Sequence, residues 1–271
     1  MSLRYKIGLI ILAFFAIFGF ILPFFNPYPV QVLSMFTRDM KPSYEHWLGT
    51  NSQGQDIFWL LVESLHNSLL IGIIVAFFAT VIGVLVGLTA GFVGGFVDRA
   101  LMLITDAIIV IPSLPILILM GSLMRGRATL GMISVILIVF NWPWPCRQVR
   151  SMALTMRERE FINTARFSSE GTFKIITTEI LPYVFSWSLS NFINTVLVAI
   201  AEESGLAVLG LSSATLATLG NMIFWAREYQ AIMMEKWLWI GSPVVATMLL
   251  FIGLFMTFTG YSRYTSTKRG R

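Results

Sequence analysis

A chain of 271 residues that is 56% hydrophobic and 12% charged carries about half the charge of an average soluble domain, which leaves an integral membrane protein. The net charge of +5 would suit a nucleic-acid partner, but its placement follows membrane topology instead, so no nucleic acid is expected. A single cysteine, Cys146, excludes an internal disulfide, and with His46 and His66 scattered it cannot build a tetrahedral zinc site. Haem ligation is set aside because neither histidine lies in an apolar span; both are taken as surface or hydrogen-bonding groups.

A bilayer core about 30 Å thick needs about 20 apolar residues in helix. Residues 7–25 form the first such run. They follow Arg4 and Lys6 as a signal peptide would, but the run is longer than the h-region of one and no A-x-A site follows, so it is kept as a helix. Further runs without internal charge cover 68–97, 128–146, 180–201 and 237–259, and one at 100–124 is interrupted by Asp106 alone. Residues 204–226 are also uncharged but loaded with Gly, Ser and Thr. If they spanned, the basic tail would lie opposite the N-terminus. With six spans and the N-terminus inside, 13 of the 19 Lys and Arg fall on the inner side. The expectation is therefore an all-α protein of six transmembrane helices in the cell membrane, both termini cytoplasmic, with 204–226 folded back on the outer face.

Between the runs, "GGFVDRA" is a turn: Gly94 and Gly95 end one helix in left-handed geometry and Asp98 and Arg99 can cap the next. Asp106 either serves an intramembrane polar site or hydrogen-bonds a neighbouring helix. Trp142, Pro143, Trp144 and Pro145 should bend the fourth span near its inner end, the tryptophans serving to pack it first and to line a pore second. Trp237 and Trp239 suit interfacial anchors. No GxxxxGK[ST], GxSxG or HExxH occurs, so no catalysis is expected of this chain.

The longest inner loop, 147–182, reads as two short helices. The first covers about 157–168 with Phe161, Ile162 and Ala165 on one side, Gly171 breaks it, and a second amphipathic piece leads to Pro182. Small residues at Thr164, Ala165, Ser168 and Ser169 beside Phe161 and Phe167 suit a helix docked in a partner's groove.

From about residue 46 onward the chain resembles the permease subunits of binding-protein-dependent ATP-binding-cassette importers, in the class handling dipeptides, oligopeptides, nickel and oligosaccharides. "HWLGTNSQGQDIFWLL" is similar to an outer signature HWLGTDxxGRDxxSRL, with Asn51 and Gln55 in place of Asp and Arg. "GLTAGFVGGFVDRALMLITDAIIVIPSL" is similar to the second and third spans, and "ESGLAVLGL" to an outer loop. The inner loop matches a coupling motif EAAxxxG followed by ILP: Asn163 and Thr164 stand for the Glu and first Ala, Ala165 is kept, Ser169 replaces the Gly, and Ile180 to Pro182 are intact.

The resemblance implies the type I importer permease fold, with an N-terminal helix and outer loop at 1–67, a transmembrane domain at 68–271, and cytoplasmic coupling helices at about 157–174. Its ATPase-coupling positions are Glu160, Phe161, Asn163, Thr164, Ala165, Arg166, Ser169 and Gly171. The implied partners are a second homologous permease, two ATPase subunits, an extracellular binding protein and membrane lipid. ATP and Mg²⁺ belong to the ATPases and no cofactor to this chain. Residues 46–69 become part of an outer vestibule presenting hydrogen-bonding groups to a docking protein. "TLGNMIFWA" and the Trp-rich entry to the last span resemble the oligosaccharide branch, so β-linked oligosaccharides are the expected cargo, with di- and oligopeptides as the alternative. A passive channel and a membrane scaffold are the other classes kept open.

Overall fold

The computed structural model describes residues 3–30, 32–124, 129–160, 162, 171–212 and 216–269. Nine helices carry the architecture among them: α1 (Leu3–Phe20), α2 (Ile57–Val93), α3 (Gly95–Val110), α4 (Ser113–Met124), α5 (Leu130–Asn141), α6 (Pro143–Arg157), α7 (Leu181–Val208), α8 (Leu219–Glu228) and α9 (Trp237–Arg269). Five stretches are long and apolar enough to cross a membrane: Leu3–Phe25, Ile57–Val93, Leu130–Arg157, Ile176–Val208 and Trp237–Arg263. The pair Gly95–Val110 and Ser113–Leu123, bent by 73°, makes a sixth if it crosses as one broken span. Within the run expected to span at 100–124 the helix is broken at Pro112: its ring favours extended backbone at Ile111 (φ −70°, ψ 119°) and splits α3 from α4.

Other boundaries moved for equally local reasons. Span two starts at Ile57 rather than 68, because Asp56 caps α2 by accepting from the Trp59 N–H at 2.9 Å, so Glu63, His66 and Asn67 lie inside the helix. The domain boundary expected at residue 67 accordingly falls within α2. Pro143 sits at the first turn of α6, where a missing N–H costs nothing, and the span runs on to Arg157 instead of stopping at 146. Gly94 and Gly95 do turn the chain in left-handed geometry (φ 72° and 61°). Asp98 does not cap α3: Arg150 of α6 grips it at 2.5 and 2.6 Å.

The helices pair so that the N-terminus of α1, the turn at Gly94, the end of α6 and the tail of α9 share one end of the bundle, with Tyr5 and Tyr261 in ring contact at 6.4 Å. This is the terminal end. The opposite, loop end carries residues 26–56 and 209–236. Residues 204–226 do not span: α8 is 10 residues, about 15 Å, and packs back between α7, α2 and α9.

At the centre α2 lies against α6. A Cβ added at Gly83 would stand 2.8 Å from Pro145 Cγ, at Gly87 2.5 Å from the Cys146 carbonyl oxygen, and at Gly91 2.7 Å from Ala153 Cβ. Three glycines four residues apart therefore bring two backbones into direct contact, the arrangement by which helices associate in lipid, where hydrophobicity gives no drive. Gly87→Leu should destabilise the folded protein by at least about 1–3 kcal/mol through forced separation of α2 and α6. Gly241→Ala, where an added Cβ meets nothing within 4 Å, should be neutral or stabilising. Thermal unfolding of the two purified variants in detergent checks both.

Candidate functional site

Three regions concentrate polar chemistry in this apolar bundle. The first is the loop end. His46 Nδ1–H donates to Asp56 Oδ2 at 2.7 Å with both side chains buried, and the Asn51 side-chain oxygen accepts from the Gln53 and Gln55 N–H groups at 2.9 Å each. Gln55 in turn donates to the Val30 carbonyl at 2.6 Å. These groups fold the segment on itself and start α2. They are not turned outward to a docking protein, as expected from the sequence, because each is spent on an internal bond. His66 likewise donates to the Gly19 carbonyl at 2.6 Å, tying α2 to α1.

Below that segment Glu203 of α7 is wholly buried, and its Oε1 accepts from Thr218 at 2.8 Å and Ser212 at 3.4 Å. Thr218 caps α8, and the Leu219 N–H donates to Ser68 of α2 at 3.0 Å. The folded-back segment is thus pinned from two helices. A cavity of about 350 Å³ opens beside it, lined in part by Gln53, Gln55, Ser64, Asn221, Trp225 and Trp239. Trp239, only 1% exposed, is a wall of this cavity and not the interfacial anchor expected; Trp237, 60% exposed, keeps that placement.

The second region is the terminal-end loop. Of the expected coupling positions, Phe161, Asn163, Thr164, Ala165, Arg166 and Ser169 lie outside the described residues. Glu160 and Gly171 are exposed, and the Gly171 carbonyl accepts the Ile175 N–H at 3.1 Å to open the following turn. Between them Ile162 is completely buried in a cluster with Val84, Leu88, Val149, Ala153 and Ile180. Asp106, expected as an intramembrane polar site or an interhelical bond, meets Arg147 of α6 at 2.9 Å, about half exposed on both sides.

The third region is a face formed by α5, α6 and α7. Asn141, the last residue of α5, donates one amide to the Leu137 carbonyl at 2.9 Å and to Glu202 Oε2 at 2.8 Å. Trp144 of α6, 54% exposed rather than packed inside, stacks on Trp187 of α7 with ring centroids 6.0 Å apart. On α7 the residues Trp187, Asn194, Val198, Ala201, Glu202 and Gly205 fall on one side and all stay partly or fully exposed. Elsewhere the bundle exposes Phe77, Phe78, Val81 and Leu85, the side chains of a lipid-facing surface. Glu202 sits six residues, about 9 Å, inside the end of α7, and a carboxylate on this side of the helix is better suited to protein or water than to lipid. The sequence counted Glu202 only as an outer charge. Its signal was a carboxylate within an apolar run that a span at 128–146 could answer with Asn141.

Such a bundle is that of a multi-pass membrane protein. A family model described as binding-protein-dependent transport system inner membrane component matches residues 83–268, and the chain belongs to that family. It is 33% identical over 192 residues to the oligopeptide transport system permease protein OppC of Mycobacterium tuberculosis, covering 71% of this chain and 66% of that one. It is 34% identical over 216 residues to the dipeptide transport system permease protein DppC of Bacillus subtilis, 79% of this chain and 67% of that. The nickel transport system permease protein NikC of Escherichia coli is 28% identical over 249 residues, 91% and 88% of the two chains. The fold is shared with a chain of the inward-facing MetNI methionine ABC transporter at a TM-score of 0.60 and 20% identity, over 77% of this chain and 96% of that one.

Asp56→Ala removes both the α2 cap and the partner of buried His46. It should lower stability by at least about 2 kcal/mol, seen as a lower melting temperature and faster protease cleavage within residues 26–56.

Proposed function

We propose that the chain forms half of the translocation pathway of an ATP-driven importer for di- and oligopeptides, paired with a second permease and served by two ATPases and an extracellular binding protein. The observation that carries the pore half of this reading is the Asn141–Glu202 pair, a polar contact between two apolar helices on an open face, which contact with lipid would disfavour. The peptide half is supported by the two relatives at 33% and 34% identity, described as oligopeptide and dipeptide permeases. The oligosaccharide cargo expected from residues 218–239 loses its ground: no relative above is described as a sugar permease, and Trp239, one of the tryptophans behind it, is buried in the wall of the loop-end cavity. ATP hydrolysis falls to the partner subunits.

The loop after α6 would carry the coupling contact, with the terminal end cytoplasmic. The reconstituted four-subunit complex should take up peptide in proteoliposomes only with ATP and the binding protein present. Sugar uptake without peptide uptake would reverse the cargo, and uptake without ATP would make the protein a channel. Ala165→Glu should leave the complex in the membrane but abolish substrate-stimulated ATP hydrolysis, because a charge at a close contact cannot be accommodated without a cost of several kcal/mol. A label placed after Arg271 should be protected from external reagents in intact cells.

A further inference from the structure

Four acidic residues lie within α3 and α7, the acid-bearing helices from α3 to α7, and three of them are out of reach of a passing ligand: two are paired with arginines and one is buried. Asp98 is gripped by Arg150 and Asp106 is paired with Arg147. Glu203 is sealed in the bundle, with two hydroxyls on one oxygen. Glu202 differs: its neighbour is the neutral Asn141 amide, its side chain is partly exposed, and no basic side chain pairs with it among the described residues. An amide orients a carboxylate without neutralising it. The Asn141 amide is itself fixed by its second bond, to the Leu137 carbonyl, so the carboxylate is held in a set direction on the open face. A carboxylate held this way on an open face is a site for a cation that comes and goes. Along the same face toward the terminal end, the Trp144 and Trp187 rings offer the next surface to which a desolvated cation is attracted.

Resting on the reading of this face as half of a peptide pathway, we propose that Glu202, oriented by Asn141, recognises the protonated amino group of the peptide in transit. Selection for a free amino terminus is then exercised by the permease as well as by the binding protein. A neutral sugar could use this carboxylate only as a hydrogen-bond acceptor, whereas an ammonium also brings the opposite charge.

The test uses the complete complex with its binding protein in proteoliposomes, and trialanine and maltotriose as probes. Wild-type uptake of maltotriose without trialanine would overturn the peptide reading and this inference together. With trialanine carried by the wild type, Glu202→Gln should cut its maximal uptake rate at least tenfold, Glu202→Asp should recover most of it, and Asn141→Lys, which ties an ammonium beside the carboxylate, should match the loss. Gly241→Ala is the control that should carry trialanine as the wild type does. Trialanine uptake by Glu202→Gln within twofold of wild type would overturn the inference and leave the peptide reading intact. Loss of the second permease from the purified Glu202→Gln complex would also overturn it, by making Glu202 a subunit contact. Ni²⁺ uptake that Glu202→Gln abolishes while trialanine uptake stays normal would assign the carboxylate to a metal cation instead.

Discussion

Everything in this bundle is referred to the contact between α2 and α6. Because Gly83, Gly87 and Gly91 carry no side chain, the α6 backbone comes close enough for the Cys146 carbonyl to stand over α2, and no larger residue could take those places without lifting the helices apart. With α6 fixed to α2, α5 is fixed through the short break at Trp142, and Asn141 takes its position opposite α7. The same contact fixes the end of α6, from which the loop toward Ile162 departs. The polar face and the terminal-end loop thus share one support.

Of the two ion pairs on α3, the more enclosed is the tighter. Arg150 meets Asp98 with two parallel hydrogen bonds, the fork geometry that suits arginine and carboxylate, while the more exposed Asp106 and Arg147 make a looser pair. Together they tie α3 to α6 along one seam. The fully enclosed Glu203 is fixed by hydroxyls from the segment that it holds in place. Polar groups here are mostly structural devices, and Glu202 stands out because its arrangement is not self-sufficient.

What could be read in the sequence followed what lipid requires. Apolar runs and the distribution of Lys and Arg marked the spans, and the Gly, Ser and Thr content of residues 204–226 marked a segment that does not cross. The ends of the helices were less legible because they depend on single capping and proline events: Asp56 starts α2 eleven residues before the charge-free run, and Pro112 breaks a run that hydropathy shows as continuous. The role of "HWLGTNSQGQD" could not be told from polarity, since a polar residue bound to its own loop and one offered to a partner have the same composition; only the bonds of His46 and Asn51 separate them. The polar face escaped because Asn141 and Glu202 are 61 residues apart. The coupling positions were legible from their small and aromatic residue types and by resemblance, and most of them lie outside the described residues.

Ile162 gives the terminal-end loop a mechanical property. Its side chain is completely enclosed by residues of α2, α6 and the chain leading into α7, and pulling it out would expose an isoleucine at a cost of about 1.5–3 kcal/mol. Ile162 is therefore a shared anchor for the feet of these three helices, and a displacement of its side chain is felt by all of them at once.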